Sequence, residues 1–175
     1  MEEKDFLNLV YYLAAPLILL GAVYMLIQKF LDREYRLKLM DMKRLMQRET
    51  LPLRLQAFER LILFLERISP NNMLQRVVEP DMTARQFQIE LINSIRSEFE
   101  HNVTQQIYVS PQSWMMIRGA KEEMIRIINL SADSMNPNAP AMDLSKAIFE
   151  TMIRNEDFPT QKAIDFIKQE TALLF

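Results

Sequence analysis

Phe6–Ile27 reads FLNLVYYLAAPLILLGAVYMLI, a stretch without one Asp, Glu, Lys or Arg. As a helix rising ~1.5 Å per residue it would reach roughly 33 Å, enough for the ~30 Å hydrocarbon core of a bilayer. Its Leu, Ile, Val and Phe side chains, at about −0.3 to −0.6 kcal/mol each, favour insertion by roughly 4–7 kcal/mol, more than Asn8 and Pro16 cost. A buried core helix would keep a polar stripe, and none is visible here. A cleaved leader would start basic and end at a small-x-small site, whereas Met1-Glu2-Glu3-Lys4-Asp5 is acidic. The expectation is a transmembrane helix over 6–27, preceded by a short extracytoplasmic segment 1–5.

Working outward, Lys29, Arg33, Arg36, Lys38, Lys43, Arg44 and Arg48 outnumber Asp32, Glu34 and Asp41 just beyond this stretch. Basic excess beside a span stays on the cytoplasmic side, so residues 28–175 are expected in the cytoplasm of a single-pass bacterial inner-membrane protein with its N-terminus outside. Tyr11, Tyr12 and Tyr24 would lie near the two interfaces, and Pro16 could kink the helix.

Residues 28–175 give room for one domain with a core of its own. The chain has no Cys, which excludes disulfides and thiolate metal sites, and only two Gly. Hairpins and phosphate-cradling loops both lean on Gly, while Leu, Met, Glu, Gln, Arg and Lys favour helix. The fold class is therefore all-α: one N-terminal transmembrane helix, a juxtamembrane helix over 28–49 and a compact multi-helix cytoplasmic domain over 50–175.

Within 28–49, Tyr35, Leu39, Met42 and Met46 are spaced four, three and four, a seam suited to a partner helix or a second copy. The alternative is a connecting helix resting on its own domain or on lipid headgroups. Lys29, Arg33, Arg36, Lys38, Lys43 and Arg44 are the candidates for headgroup contact, worth roughly 1 kcal/mol each near an anionic surface.

Thr50 reads as an N-cap with Pro52 in the first turn, opening a helix to about Ile68 whose stripe is Leu51, Leu55, Phe58, Ile62 and Leu65, widened by Leu61 and Phe64. Ser69-Pro70 starts a short helix to Val78. Thr83-Ala84-Arg85-Gln86 has capping-box form and opens a helix over 84–102 with Phe87, Leu91, Ile95 and Phe99 on one face. Gln105–Val109 is the one β-like run and reads as an extended connection. Ser110-Pro111 opens a helix to about Leu130 that packs Trp114, Ile117, Met124 and Ile128. Residues 132–142 read as a loop. Asp143 caps a helix to about Arg154, and Asp157, Pro159 and Thr160 start the last one, which carries Ala163, Ile164, Ile167 and Leu174.

Chemistry is sparse. Glu98-Phe99-Glu100-His101 contains Glu-x-x-His, half of a di-iron carboxylate site, but a bundle needs two such motifs and the chain has one His. Glu98 and His101 are thus the only, and weak, metal candidates. No nucleophile elbow, P-loop or dinucleotide fingerprint occurs, so no catalytic residues and no cofactor are expected, and the chain reads as a non-enzyme. Glu122 and Glu123 beside Lys121 and Arg126 read as a solvated helix face. The basic excess sits at 28–60 and the rest is mildly acidic, so nucleic acid is not an expected partner.

Four stretches resemble an uncharacterised family of small single-span membrane proteins of Bacteroidota: Pro52–Arg60 (PLRLQAFER), Leu63–Asn72 (LFLERISPNN), Phe99–Ser110 (FEHNVTQQIYVS) and Ala120–Glu123 (AKEE). The resemblance implies an anchor followed by a helical cytoplasmic domain and transfers no site residues. The functional expectation is a membrane-anchored, non-enzymatic interaction or scaffold module with lipid and a protein partner, or a homo-oligomer. The alternatives are a metal protein or enzyme using Glu98 and His101, and an anionic-lipid sensor working through 29–48.

Overall fold

The computed structural model describes residues 2–155 and 158–174, without the side chains at 2–7, 9, 10, 13, 15 and 155. Among the described residues six α-helices follow one another: α1 (Glu2–Arg67), α2 (Pro70–Val77), α3 (Ala84–Asn102), α4 (Pro111–Asp133), α5 (Ala141–Asn155) and α6 (Pro159–Ala172), with a 3₁₀ turn at Val103–Ile107. Among the described residues there is no strand, so the chain is all-α. It divides into two compact units, Met1–Thr50 and Leu51–Phe175.

In the first unit every side chain described from Pro16 to Thr50 is exposed. The single-pass inner-membrane location is corrected here: among the described residues no helix is long and apolar enough to cross a membrane. Phe6, Leu7, Leu9, Val10, Leu13 and Ala15 of the expected span, together with the segment 1–5, fall on Met1 and on side chains outside the described set. The orientation expected from the flanking charges rested on that span. Thr50 is corrected as well. It lies within α1, and its Oγ1 donates to the Met46 carbonyl at 2.8 Å, the back-bond Thr makes inside helices and not at their N-termini.

The second unit holds one hydrophobic cluster. Phe58, Leu61, Phe64 and Leu65 of α1 enter it, joined by Ile68, by Met73 and Leu74 of α2, and by Phe87, Leu91 and Ile95 of α3. Ile117, Met124, Ile127 and Ile128 of α4, Leu144, Ile148 and Met152 of α5, and Ala163, Ile164 and Ile167 of α6 complete it. Helix α4 packs against α3, α5 and α6 and is the centre of the unit. The stripe expected on α1 is rotated slightly: Leu51, Leu55 and Ile62 flank the buried face instead of filling it.

Local chemistry explains the boundaries. Thr83 and Gln86 form the capping box, with the Gln86 N–H donating to Thr83 Oγ1 at 3.3 Å and the Thr83 N–H to Gln86 Oε1 at 3.0 Å. The next two amides of α3 are taken by the loop before α5: the Ala84 N–H donates to the Ala139 carbonyl (2.7 Å) and the Arg85 N–H to Pro137 (3.1 Å). Ser110 caps α4, its Oγ accepting from the Ser113 N–H at 3.1 Å. Ser69 precedes α2 as expected, but its hydroxyl donates back to the Glu66 carbonyl at 2.7 Å and makes no cap bond.

Three further readings change. Gln105–Val109 is not extended: Val103–Ile107 is a 3₁₀ turn closed by the Tyr108 N–H on the Gln105 carbonyl at 3.0 Å. Helix α4 continues to Asp133 and α5 begins at Ala141, so the loop is shorter than 132–142 and Asp143 sits inside the first turn of α5 instead of capping it. Phe158 precedes α6, and Asp157 lies outside the described residues.

Candidate functional site

The two metal candidates each have other partners. Glu98 faces α1 and α2: Arg67 donates to its Oε1 from Nε at 2.7 Å and from Nη2 at 2.6 Å, and Arg76 reaches the same oxygen at 3.4 Å. A carboxylate shared by two guanidinium groups is a structural tie between three helices. His101 Nδ1 lies 2.6 Å from the Ser97 carbonyl, one turn back on α3. A carbonyl only accepts, so the ring donates from Nδ1 and presents Nε2 as its ligand atom. Among the described residues no cluster of three or more His, Asp or Glu is arranged to hold a metal ion.

A polar cluster that sequence spacing does not reveal lies at the start of α4. Glu170 of α6 accepts from the Ser110 N–H at 3.0 Å and from the Ser110 hydroxyl at 2.5 Å, takes a further short bond from the buried Ser113 hydroxyl, and pairs with Arg54 of α1 at 3.3 Å. Arg54 also donates from Nε to the Tyr108 carbonyl at 3.0 Å. Burial would push the Glu170 carboxyl up, but the hydroxyls of Ser110 and Ser113, the Ser110 amide and the Arg54 charge outweigh it and hold the group below its ordinary value of 4.5. The base both hydroxyls meet is this carboxylate, and its lowered pKa makes it a weak proton acceptor. The cluster fastens α6 and α1 to the N-terminus of α4.

Lys121 departs from the solvated face expected of it. Its ammonium lies 4.4 Å from the Phe99 ring centroid, and Phe99 stacks on Trp114 at 5.4 Å. Glu122 pairs with Lys121 at 2.8 Å, and Glu123 with Arg126 one turn on. An open groove of about 680 Å³ beside α2 and α3 is lined by Arg76, Glu79, Gln86, Glu90, Asn93 and Ser97. Its charges carry both signs, which suits hydration better than a single class of ligand.

The remaining candidate is the seam of the first unit. Tyr35, Leu39, Met42 and Met46 are 66, 40, 60 and 64% exposed. The basic residues around them are exposed too. Lys38 meets Glu34 at 3.7 Å and Arg44 meets Asp41 at 4.0 Å, exposed pairs of little energetic weight. Lys29, Arg33 and Arg36 line a shallow depression with Asp32, Leu37 and Met40. This is an apolar stripe between charged borders, able to bind another surface by burial and to discriminate among surfaces by charge.

Against known proteins, the chain matches, over residues 4–174, the family described as "Family of unknown function (DUF7935)". No curated protein and no solved structure matches it.

Proposed function

Because the chain belongs to the DUF7935 family of unknown function, we propose its role from its own surfaces: a non-enzymatic interaction or scaffold module that binds a protein partner through Tyr35, Leu39, Met42 and Met46. The observation that carries this reading is the exposure of all four at coiled-coil spacing on a stretch of α1 that buries none of its described side chains, whereas the second unit closes a core of its own and leaves other apolar side chains, such as Leu63, Ile107 and Met115, exposed. A solvent-facing Leu or Met at such spacing gains, on docking, the burial it lacks alone, at about 25 cal/mol per Å².

The alternatives have less behind them. Glu98 is already shared by two arginines, which disfavours metal or catalytic chemistry at that pair. A charged lipid surface would use Lys29 to Arg44 and bury the same apolar face, but Asp32, Glu34 and Asp41 among those cations weaken its attraction.

The test is a triple variant, Leu39→Glu with Met42→Glu and Met46→Glu, in the full chain. Partner capture and chemical crosslinking should be lost while far-ultraviolet circular dichroism keeps its helical signal. Crosslinks and captured proteins identical to wild type would remove the seam from the reading.

A further inference from the structure

The charges bordering the seam identify what docks on it. With Tyr35 and Met42 as one class of inner position and Leu39 and Met46 as the other, the residues that flank a helix–helix interface are those just after the first class and just before the second. They are Arg36 and Lys43 on one side, Lys38 and Leu45 on the other, and one heptad earlier Lys29 falls in line with Arg36 and Lys43. No acidic residue occupies a flanking position from 29 to 45; Glu34 and Asp41 stand one row further out, and Asp32 takes an inner position one heptad before Leu39, where the apolar seam ends. Arg36 and Lys43 have no ion-pair partner among the described residues, and the pair Lys38 makes with Glu34 is long and exposed.

A second copy is a poor occupant on these grounds. In a parallel pair Lys38 of one chain would face Lys43 of the other; in an antiparallel pair Arg36 would face Lys43. Either register sets like charges together at a few ångströms, well inside the ~8–10 Å screening length. Resting on the interaction reading above, we infer that the seam is built for an amphipathic helix of a different protein, apolar at its inner positions and carrying Glu or Asp at its flanking ones. Such a helix buries Leu39, Met42 and Met46 and meets Lys29, Arg36, Lys38 and Lys43 with opposite charge. The methionines suit this use, since their unbranched side chains repack around a partner of different shape.

The experiment uses the full chain and three labelled three-heptad peptides: Leu at inner positions with Glu flanking, the same peptide with Lys flanking, and a scramble of the first. Binding is followed by fluorescence anisotropy at low and high salt, with sedimentation equilibrium of the chain alone. The Glu peptide should bind about tenfold or more tighter than the Lys peptide at low salt, with the preference shrinking as salt rises. Lys38→Glu with Lys43→Glu should reverse the preference. Equal binding of the two peptides, or Glu-peptide binding that the scramble matches or that survives Leu39→Glu with Met42→Glu, overturns the inference. A homodimer of the chain that Leu39→Glu dissolves also overturns it, yet leaves the interaction module standing. No peptide binding, together with partner capture that the triple Glu variant leaves unchanged, brings down both.

Discussion

Glu170 shows how one side chain couples three helices to pH. Its two carboxylate oxygens collect the hydroxyls of Ser110 and Ser113, the Ser110 amide and the Arg54 guanidinium. Its folded-state pKa is lowered, so the unfolded chain binds this proton more readily than the folded one. The stabilisation is therefore fully present above the unfolded value near 4.5 and is lost as pH falls below it through the folded value. Glu170→Gln should cost about 1–2 kcal/mol in urea unfolding at pH 7, with the difference from wild type narrowing below about pH 4. A gap that stays constant from pH 7 to pH 3 would mean the carboxylate charge is not what matters. Sequence reading could not find this residue, because the serines lie 57 and 60 positions away and only the packing of α6 on α4 joins them. Glu98 was visible as half of a metal motif, but the arginines that claim it come from α1 and α2, beyond any local pattern.

At the scale of elements, what is encoded within four residues is legible and what depends on neighbours is not. The box at Thr83 and Gln86 and the cap at Ser110 are local exchanges between side chain and backbone, and both helices start where those residues say. Thr50 followed by Pro52 carries the same vocabulary inside α1, because a Thr hydroxyl can equally donate to the carbonyl one turn back. The β-branched and aromatic run at Gln105–Val109 has strand propensity but no second strand among the described residues, and it folds as a single 3₁₀ turn. The start of α3 offers a measurable consequence. Thr83→Ala removes the acceptor for the Gln86 amide and should cost about 1 kcal/mol, a fall in Tm of about 2–5 °C, with Thr83→Ser restoring most of it. An Ala variant as stable as wild type would show that the bonds from Ala84 and Arg85 to the loop carbonyls suffice to hold this helix end.

Across the whole molecule, burial and exposure are divided between the two units, and that division has a dynamic consequence. The second unit closes its buried apolar side chains into one cluster around α4, so its central amides open only when the cluster does. Residues 28–50 of α1 bury nothing, and a helix with no packed face is marginal in water, where stability comes chiefly from tertiary contact. Native-state hydrogen exchange should then separate the two: amides at 28–50 exchanging with protection of about tenfold to a hundredfold, and those of α4 near Met124 and Ile128 only by global unfolding. Adding a partner that docks on Leu39, Met42 and Met46 should slow exchange at 35–46 while leaving α4 unchanged, because the docking energy falls on the helix that lacked it. Protection at 35–46 equal to that of α4 in the isolated chain, and growing with its concentration, would instead mean that the chain covers its own seam by association, against the repulsion of Lys38 and Lys43.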